Sequence, residues 1–393
     1  MSSRDIPHIW GCRQADYAHG MTSERARARA AERIAALGDA GLHDRELRRE
    51  VLDVLREVMG FSAYVWLLTD PVTEVGAAPF ADVPCLPELP ALVKAKYATA
   101  VNRWTSLRTQ GVPARLLTEA TGGDLARSLV WRDVLSRYDV ADVASVVLAD
   151  QHGCWGFLDL WRDTEAGPFA AADAAFLAGI ARRLAGALRR CQARTFTAPA
   201  AEHREHRGPV VLTLDDDLRI AGRTAASRAW LEVLLPPGQN AQAVPASVYN
   251  VAAQLLAAEA GVDDHPASAR VHLAGGFWLT LRAARLSSDI QPDSPGTPAP
   301  SIAVTIEEAS AADRLDLFGR AYGLTARERQ LLGLLATGSD TRTMARQMSV
   351  SEHTVTDHLK SVFGKTGARD RVTVLSRALG TTRVRDSGAH RAP

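Results

Sequence analysis

The sequence LTARERQLLGLLATGSDTRTMARQMSVSEHTVTDHLKSVFGKTGARDRVTVLSRAL, residues 324–379, decides the fold of the C-terminal part of the chain. Asp340 is suited to cap a helix over Thr341–Met348, because its carboxylate can accept hydrogen bonds from the free backbone N–H groups of the first turn. Residues 349–351 supply a turn, and Ser351 caps a second helix. The pattern predicts a helix-turn-helix.

The apolar positions of these two helices are spaced for burial along one stripe. Met344 and Met348 lie one turn apart and face the core, while Ala345 is small enough to let two helices approach closely. The buried stripe of the second helix consists of Val355, Leu359 and Val362 or Phe363. The remaining positions leave an open polar face: His353, Thr354, Thr356, Asp357 and Lys360.

Charge is distributed unevenly along the chain. The 393 residues carry a net charge of +1, but residues 324–379 hold nine Arg or Lys against five acidic residues, a net of +4. A local positive excess is what contact with nucleic acid requires. An exposed helix of this kind fits the DNA major groove, with its N-terminal residues at the base edges. The sequence therefore predicts a DNA-binding unit at this end of the chain.

Motif positions across this stretch closely resemble the LuxR/FixJ-type C-terminal domain of bacterial transcription factors. The residues that carry the resemblance are Leu324, Thr325, Arg327, Glu328, Gly338, Met344, Ala345, Val350, Ser351, Thr354, Val355, His358, Leu359, Val362, Phe363, Lys365, Gly367, Ala368, Arg369, Asp370 and Arg371. The resemblance implies an all-α, four-helix unit in which residues 351–363 form the recognition helix. The last helix, Arg371–Leu379, would supply a dimer contact.

The same resemblance assigns roles to eight side chains. Those expected to face bases are Thr356, Asp357 and Lys360. Those expected mainly at phosphates are Ser351, His353, Thr354, Lys365 and Arg369. Many family members carry Lys or Gln where this chain has Thr356. Because Thr can contact a thymine methyl group and Asp can accept from a cytosine amino group, we expect an unusual operator.

The N-terminal part of the chain begins with helices and a strand. Gly38 and Gly41 interrupt an Ala-, Arg- and Leu-rich stretch, which predicts two helices. Ala63–Thr69 is rich in β-branched and aromatic residues and is predicted as a strand. Residues 72–125 are expected to be irregular, with some helical pieces.

A hairpin and a long helix are predicted next. Two apolar runs, 144–149 and 154–161, flank a polar turn that ends in Gly153, where a positive φ is needed. An amphipathic helix over 169–191 follows. This order of helix, strand, hairpin and long helix resembles a GAF domain.

The middle of the chain shows a different order of elements. The predicted elements are strands Val210–Leu214 and 218–220, helices 225–235 and 248–258, strands Ser268–Leu273 and Phe277–Arg285, a Pro- and Ser-rich loop over 287–300, and a strand over 302–306. A strand pair, then helices, then an antiparallel meander resembles a PAS domain in topology.

These elements predict an α+β multidomain fold, with GAF-like and PAS-like α/β sensor modules and a C-terminal all-α, four-helix LuxR-type helix-turn-helix. The predicted boundaries are 1–37 for an N-terminal tail and helix, 38–194 for a GAF-like sensor or dimerisation domain, 195–208 for a linker, 209–310 for a PAS-like domain, 311–381 for the DNA-binding domain and 382–393 for a disordered tail.

Several functional classes find no support in the sequence. The four cysteines form no CxxC pair, so neither a zinc site nor a disulfide framework is indicated, and no metal ion or cofactor is expected. The catalytic motifs of nucleophile, zinc-protease and phosphate-binding enzymes are lacking, so the chain is not expected to be an enzyme. No run of about 18 apolar residues occurs, and we expect a cytoplasmic protein with no membrane contact.

The resemblance predicts a transcriptional regulator that binds double-stranded DNA as a homodimer and works with RNA polymerase, under the control of the N-terminal region. Trp66, Trp155 and Phe157 are candidates for a small-molecule site, although aromatic residues in strands are more often core. The alternative is that the N-terminal half is a protein-interaction or dimerisation module with no small-molecule ligand.

Overall fold

The structure is a computed structural model that describes residues 10–197, 208–227, 234, 244–273, 277–286 and 301–380, with side chains from Glu24 onward. Four sequence-based predictions lie wholly or mostly outside these residues: the linker over 195–208, the helix over 225–235, the loop over 287–300 and the tail over 382–393.

The first sheet has five antiparallel strands in the order β2-β1-β5-β4-β3. Its strands are β1 (Ala63–Thr69), β2 (Gly76–Asp82), β3 (Ala114–Leu116), β4 (Val140–Asp150) and β5 (Gly153–Asp163). The predicted strand Ala63–Thr69 and the predicted hairpin are confirmed. The expectation that residues 72–125 are irregular was wrong at two edge strands, β2 and β3. Gly76–Asp82 contains Pro79 and no β-branched residue, so strand propensity does not reveal it.

Helices cover both faces of this sheet. They are α1 (Trp10–Asp39), α2 (Asp44–Met59), α3 (Leu89–Ala98), α4 (Trp104–Thr109), α5 (Leu117–Thr121), α6 (Leu129–Asp133) and α7 (Ala171–Thr195). The first two and the last pack on one face, in the same buried cluster as Trp66 and Leu158. α3 and α6 lie on the other face, with Val143 and Trp161. We call residues 10–197 the first unit.

The second sheet also has five antiparallel strands, in the order β7-β6-β10-β9-β8. Its elements are β6 (Val210–Leu214), β7 (Ile220–Arg223), α8 (Ala246–Glu259), β8 (Ser268–Leu273), β9 (Phe277–Arg285) and β10 (Ile302–Glu308). The predicted limits of β6, β8 and β9 are confirmed. The apolar side of α8, including Val248 and Val251, is fully buried with this sheet. We call the described residues of 208–308 the second unit.

Five helices follow the second sheet. They are α9 (Ala311–Ala321), α10 (Ala326–Ala336), α11 (Thr341–Met348), α12 (Glu352–Thr366) and α13 (Arg371–Leu379). The predicted helices Thr341–Met348 and Arg371–Leu379 are confirmed to the residue. We call residues 311–380 the C-terminal unit. The fold is therefore a mixed α/β chain with two antiparallel sheets and a C-terminal helical unit.

The three units meet at a cluster of aromatic rings. Phe196, just beyond α7, stacks on Trp278 of β9 with ring centroids 5.6 Å apart. The same Phe196 ring meets Phe318 of α9 edge-on at 5.3 Å. Because Phe196, Trp278 and Phe318 are all nearly inaccessible to solvent, each unit contributes apolar surface to one shared core.

Candidate nucleic-acid interface

Two side-chain caps, one carboxylate and one hydroxyl, mark the starts of the two helices of the helix-turn-helix. Asp340 accepts a hydrogen bond from the backbone N–H of Thr343 at 2.7 Å and so caps α11. Ser351 accepts from the backbone N–H of Thr354 at 3.1 Å and caps α12. Between the helices, Ser349 adopts a left-handed conformation with φ 55° and ψ 46°, which reverses the chain in a short turn. The caps therefore act as the sequence predicts.

The inward stripe of this motif is buried as expected. Met344, Met348, Val355, Leu359 and Val362 are each no more than 5% exposed. Ala345, at 6% exposure, lies where α11 approaches the rest of the unit. This burial fixes the rotation of α12 about its own axis, so the opposite side of the helix must face outward.

The outward side of α12 is polar and accessible. The side chains of His353, Asp357 and Lys360 are 84%, 54% and 70% exposed, and Thr356 is also exposed. Asp357 lies 3.4 Å from the Lys360 Nζ and 3.4 Å from the His353 Nε2. Exposed pairs of this kind contribute little to stability, so these groups can exchange partners at little cost.

The first turn of α12 combines hydroxyl groups with a helix N-terminus. The Ser351 and Thr354 hydroxyl oxygens are 2.9 Å apart, and Ser351 is exposed while Thr354 is half-buried. Free backbone N–H groups and the positive end of the helix dipole favour anions at such a position. The geometry is suited to a phosphate group.

Lys365 and Arg369, also expected at phosphates, differ in their surroundings. Arg369 is exposed. The Lys365 ammonium donates to the Glu328 carboxylate at 2.6 Å, and its side chain is 35% exposed. Lys365 therefore ties α12 to α10, in addition to carrying a positive charge near the surface.

Glu328 is a structural residue of the interface to which the sequence analysis gave no role. Its carboxylate also accepts from the Ser361 hydroxyl and the Thr325 backbone N–H, each at 2.6 Å. Burial raises its pKa, but these hydrogen bonds and the charge of Lys365 outweigh burial and lower the pKa to about 2. The signal was present in the sequence, because Thr325 and Glu328 have the spacing of a capping box.

The C-terminal unit is held against the first unit by two arginines. Arg320 of α9 donates to the backbone carbonyl of His152, in the β4–β5 turn, at 3.0 Å. Arg189 of α7 donates to the backbone carbonyl of Ala321 at 3.1 Å and to the Asp150 carboxylate at 2.8 Å. The hairpin turn of the first sheet therefore directly contacts α9, the helix that precedes the helix-turn-helix.

The aromatic residues proposed for a ligand site are packed into the protein core. Trp66 and Trp155 are at most 1% exposed and lie on the α1, α2 and α7 side of the first sheet. Phe157 is 1% exposed and stacks on Trp104 at 4.8 Å. None of the three belongs to the described lining of the apolar cavity in this unit. Trp66 and Trp155 lie on the opposite side of the first sheet from Val65 and Leu67, which line the cavity.

That cavity encloses about 830 Å³, including its open mouth, and lies between the first sheet and α3, α4 and α8. Local sequence patterns do not reveal this cavity, because its walls come from elements that are distant along the chain and include the edge strand β2.

One acidic cluster has a geometry that could hold a cation. Asp263, Asp264 and His265 can bring ligand atoms within 4.8 Å of one another. The Asp263 carboxylate already accepts from Arg103 at 2.6 Å and from Thr105 at 2.7 Å, and its other oxygen is 2.6 Å from the His265 Nδ1. The Asp263 carboxylate therefore anchors Arg103.

Across the part of the chain that the structure describes, every helix is too short or too polar to cross a bilayer.

Comparison with known proteins agrees with this geometry at the C-terminal end. Residues 323–378 match the family described as bacterial regulatory proteins, luxR family. The monoamine regulon transcriptional regulator of Klebsiella aerogenes is 39% identical over 54 residues, which are 14% of this chain and 24% of that protein. The chain thus spans about a quarter of the length of this curated relative.

A solved structure of the Vibrio cholerae VqmA dimer, determined in the absence of target DNA and described among LuxR-type receptors, was also found. It is 18% identical and covers 44% of this chain and 81% of its own. The TM-score of 0.16 is too low to indicate a shared overall arrangement. The family match, the capped helices and the exposed polar face together identify residues 323–378 as a LuxR-family helix-turn-helix domain.

Proposed function

We propose that this chain is a bacterial transcriptional regulator that binds double-stranded DNA by inserting α12 into the major groove. The observation that carries the proposal is the exposed polar side of α12, held outward by its buried stripe within a LuxR-family domain. Thr356, Asp357 and Lys360 face the base edges. The phosphate contacts come from Ser351, His353, Thr354, Lys365 and Arg369.

The regulator is proposed to act as a homodimer on a palindromic or near-palindromic site. Two half-sites about one helical turn apart would present the same groove to both copies of α12. The apolar Val372 of α13 supports this arrangement, since it is 56% exposed on the helix that the family resemblance assigns to dimer contact. RNA polymerase is the further partner that this role implies, in the cytoplasm.

The N-terminal half is proposed to regulate DNA binding, with residues 38–194 as a GAF-like module and residues 209–310 as a PAS-like module. Support comes from the two antiparallel sheets and from the direct contacts of α9 with the β4–β5 turn. The alternative is that the N-terminal half only binds another protein or a second copy of the chain. Under that alternative it would have no small-molecule ligand. The mainly apolar cavity between the first sheet and α8, with a few polar groups in its wall, favours small-molecule regulation.

The test begins with selection of binding sites from a random duplex library by the full chain. Gel-shift titrations then compare Lys360→Ala with wild type on the selected site and on random DNA. We expect Lys360→Ala to lose about 5- to 150-fold in affinity for the selected site, because one base contact is lost. Its affinity for random DNA should change little. Lys365→Ala should weaken binding to both by a similar factor.

Lys94→Ala is the matched control, because Lys94 is an exposed lysine of the first unit whose Nζ pairs with Asp217 at 2.8 Å. It should leave both affinities unchanged. If Lys360→Ala bound the selected site as tightly as wild type, α12 would not be the recognition helix.

A further inference from the structure

The cavity of the first unit is closed by the second unit. Its walls are the face of the first sheet that carries Val65 and Leu67, the helix α3, and Ala246 and Asn250 of α8. The Asn250 side chain donates to the backbone carbonyl of Gly76 in β2 at 3.0 Å, which fixes α8 over the edge of the first sheet. The cavity therefore lies at the boundary of two units, where its occupant would contact both.

Three polar groups in the wall lack a hydrogen-bonding partner among the residues that the structure describes. They are the Ser145 Oγ, the Trp161 Nε1 and the Asn102 Oδ1. These residues are 0%, 2% and 7% exposed, so bulk water does not reach them freely. Buried polar groups are almost always paired in native proteins, because an unpaired one costs free energy. Together they offer one N–H donor, one carbonyl acceptor and one hydroxyl that can do either.

The charged groups of the wall neutralise each other. The Lys96 Nζ lies 2.7 Å from Asp159, and the Trp104 Nε1 donates to the same carboxylate at 2.8 Å. Lys96 also lies 4.1 Å from the centre of the Trp104 ring. Because this buried pair is already satisfied, a ligand with a net charge would enter without a counter-ion, and that is costly in an apolar site.

The hydrogen-bonding groups are placed close to this pair by strand register. Ser145 of β4 lies directly opposite Asp159 of β5, and Val143 lies directly opposite Trp161. Ser145 and Trp161 are therefore diagonal neighbours on one face of the sheet, at a separation of about 7–8 Å. That distance is within reach of an aromatic side chain, so both can contact one polar end of the same small molecule. Apart from Ser128 and Asn250, the remaining wall is aliphatic and aromatic.

We propose that this cavity binds an uncharged, mainly apolar ring compound that presents a hydroxyl or amide group to Ser145, Trp161 and Asn102. Its regulatory consequence rests on the proposed function: the ligand would stabilise the closure of α8 over the first sheet, and so set the position of the second unit, which also packs on α9. Binding itself does not depend on the protein contacting DNA.

The experiment measures binding by equilibrium dialysis with the full chain and no DNA. The probe is 2-naphthol, which is uncharged at neutral pH and has one hydroxyl group. Three analogues share its ring system: naphthalene, naphthalene-2-carboxylate and naphthalen-2-ylmethylammonium. Ser145→Ala removes the hydroxyl and keeps the cavity, Ser145→Leu fills the cavity, and Ser136→Ala removes an exposed hydroxyl elsewhere in the same unit.

We expect 2-naphthol to bind wild type and Ser136→Ala equally, Ser145→Ala about tenfold more weakly, and Ser145→Leu not at all. Naphthalene should bind wild type and Ser145→Ala alike, and both charged analogues should bind at least about tenfold more weakly than 2-naphthol. The ligand-free Ser145→Ala protein should melt no lower than wild type, because it loses an unpaired buried hydroxyl; this also shows that the variant folds.

Equal affinity of the folded wild type for charged and uncharged probes would overturn the inferred ligand class. Failure of 2-naphthol to bind folded wild type, or its undiminished binding to Ser145→Leu, would overturn the site. Since no DNA is present, either failure is distinguishable from a failure of the gel-shift test.

Discussion

Arg270 of β8 forms a bidentate ion pair with Asp70, which follows β1. The Arg270 Nε and Nη2 donate to the two carboxylate oxygens of Asp70 at 2.6 and 2.8 Å. Both residues are buried, at 8% and 1% exposure. The Nη1 of the same guanidinium donates to Asp316 of α9 at 3.0 Å. One side chain of the second unit therefore binds the first unit and also α9, the helix that precedes the helix-turn-helix domain.

Arg270→Ala should strongly destabilise the chain, because it leaves the Asp70 carboxylate buried without its cation. Removing one partner of a buried pair costs about 3–5 kcal/mol. Burial raises the pKa of Asp70, and the hydrogen bonds and charge of Arg270 outweigh burial and lower it. In the variant that pKa should rise. Urea unfolding at neutral pH measures the loss of stability.

Arg219→Ala is the control for this change, since Arg219 is 74% exposed and pairs with Asp217 in the β6–β7 turn of the second unit. Its effect should stay within about 0.5 kcal/mol. Similar urea midpoints for the two variants would contradict the role of Arg270 as a connection between units.

Glu328→Gln should destabilise the C-terminal unit and change its response to acid. The pKa of Glu328 falls from 4.5 to about 2 in the folded chain, so its carboxylate stabilises the fold fully above the unfolded pKa. That contribution is lost as the pH falls through the folded pKa. We therefore expect wild type to exceed Glu328→Gln by about 1–3 kcal/mol at neutral pH, with the difference shrinking between about pH 4.5 and pH 2.

The measurement is a set of urea unfolding curves across this pH range, followed by a probe in the C-terminal unit. Glu352→Gln serves as the control, because Glu352 is an exposed acid in the first turn of α12. A stability difference for Glu328→Gln that did not depend on pH would show that its carboxylate is not the group that titrates.

Local sequence patterns predicted the helices and strands whose caps and apolar spacing lie close together along the chain. The α11 helix, Thr341–Met348, was predicted to the residue because its cap and its apolar spacing are both local. The exposed side of α12 followed from the position of its buried stripe. Strand β2 was not predicted, because Gly76–Asp82 is set by pairing with β1 and not by its own residue types.

The longer-range features of the sites could not be read from the sequence. Asp70 and Arg270 are 200 residues apart, and Glu328 and Lys365 are 37 apart, so no periodic pattern joins either pair. The position of the cavity could not be predicted from the aromatic residues either. Strand alternation places Trp66 on one side of the first sheet, but it does not tell which side holds the cavity.

Gly153→Ala should destabilise the β4–β5 hairpin. Gly153 has φ 153°, as the predicted turn requires, and a Cβ built there would lie 2.5 Å from the Pro71 Cβ and 2.6 Å from the Pro71 carbonyl oxygen. We expect a loss of about 1–3 kcal/mol, as for other overpacked sites. Thermal unfolding measures it. Gly179→Ala is the control and should stabilise α7 by about 0.5–1 kcal/mol, because a Cβ at that helical position would meet no described atom within 4 Å other than its chain neighbours and the backbone of its own helix. Equal melting temperatures for both variants would contradict the close approach of Pro71.

Asp357→Asn should raise the affinity of the chain for random DNA and relax its sequence preference. The Asp357 side chain is 54% exposed on the outward side of α12. In the proposed complex its negative charge would oppose the phosphate backbone. Its carboxylate can accept from a cytosine amino group, so its loss should cost about 1–3 kcal/mol of discrimination at one base pair. Site selection with both proteins, followed by titrations at fixed salt, measures the two effects. Asp264→Asn is the charge-matched control, because the Asp264 side chain is fully exposed in the second unit and lies outside the DNA-binding motif. If Asp357→Asn kept the wild-type base preference at every position, Asp357 would contribute charge only, and recognition would fall to Thr356 and Lys360.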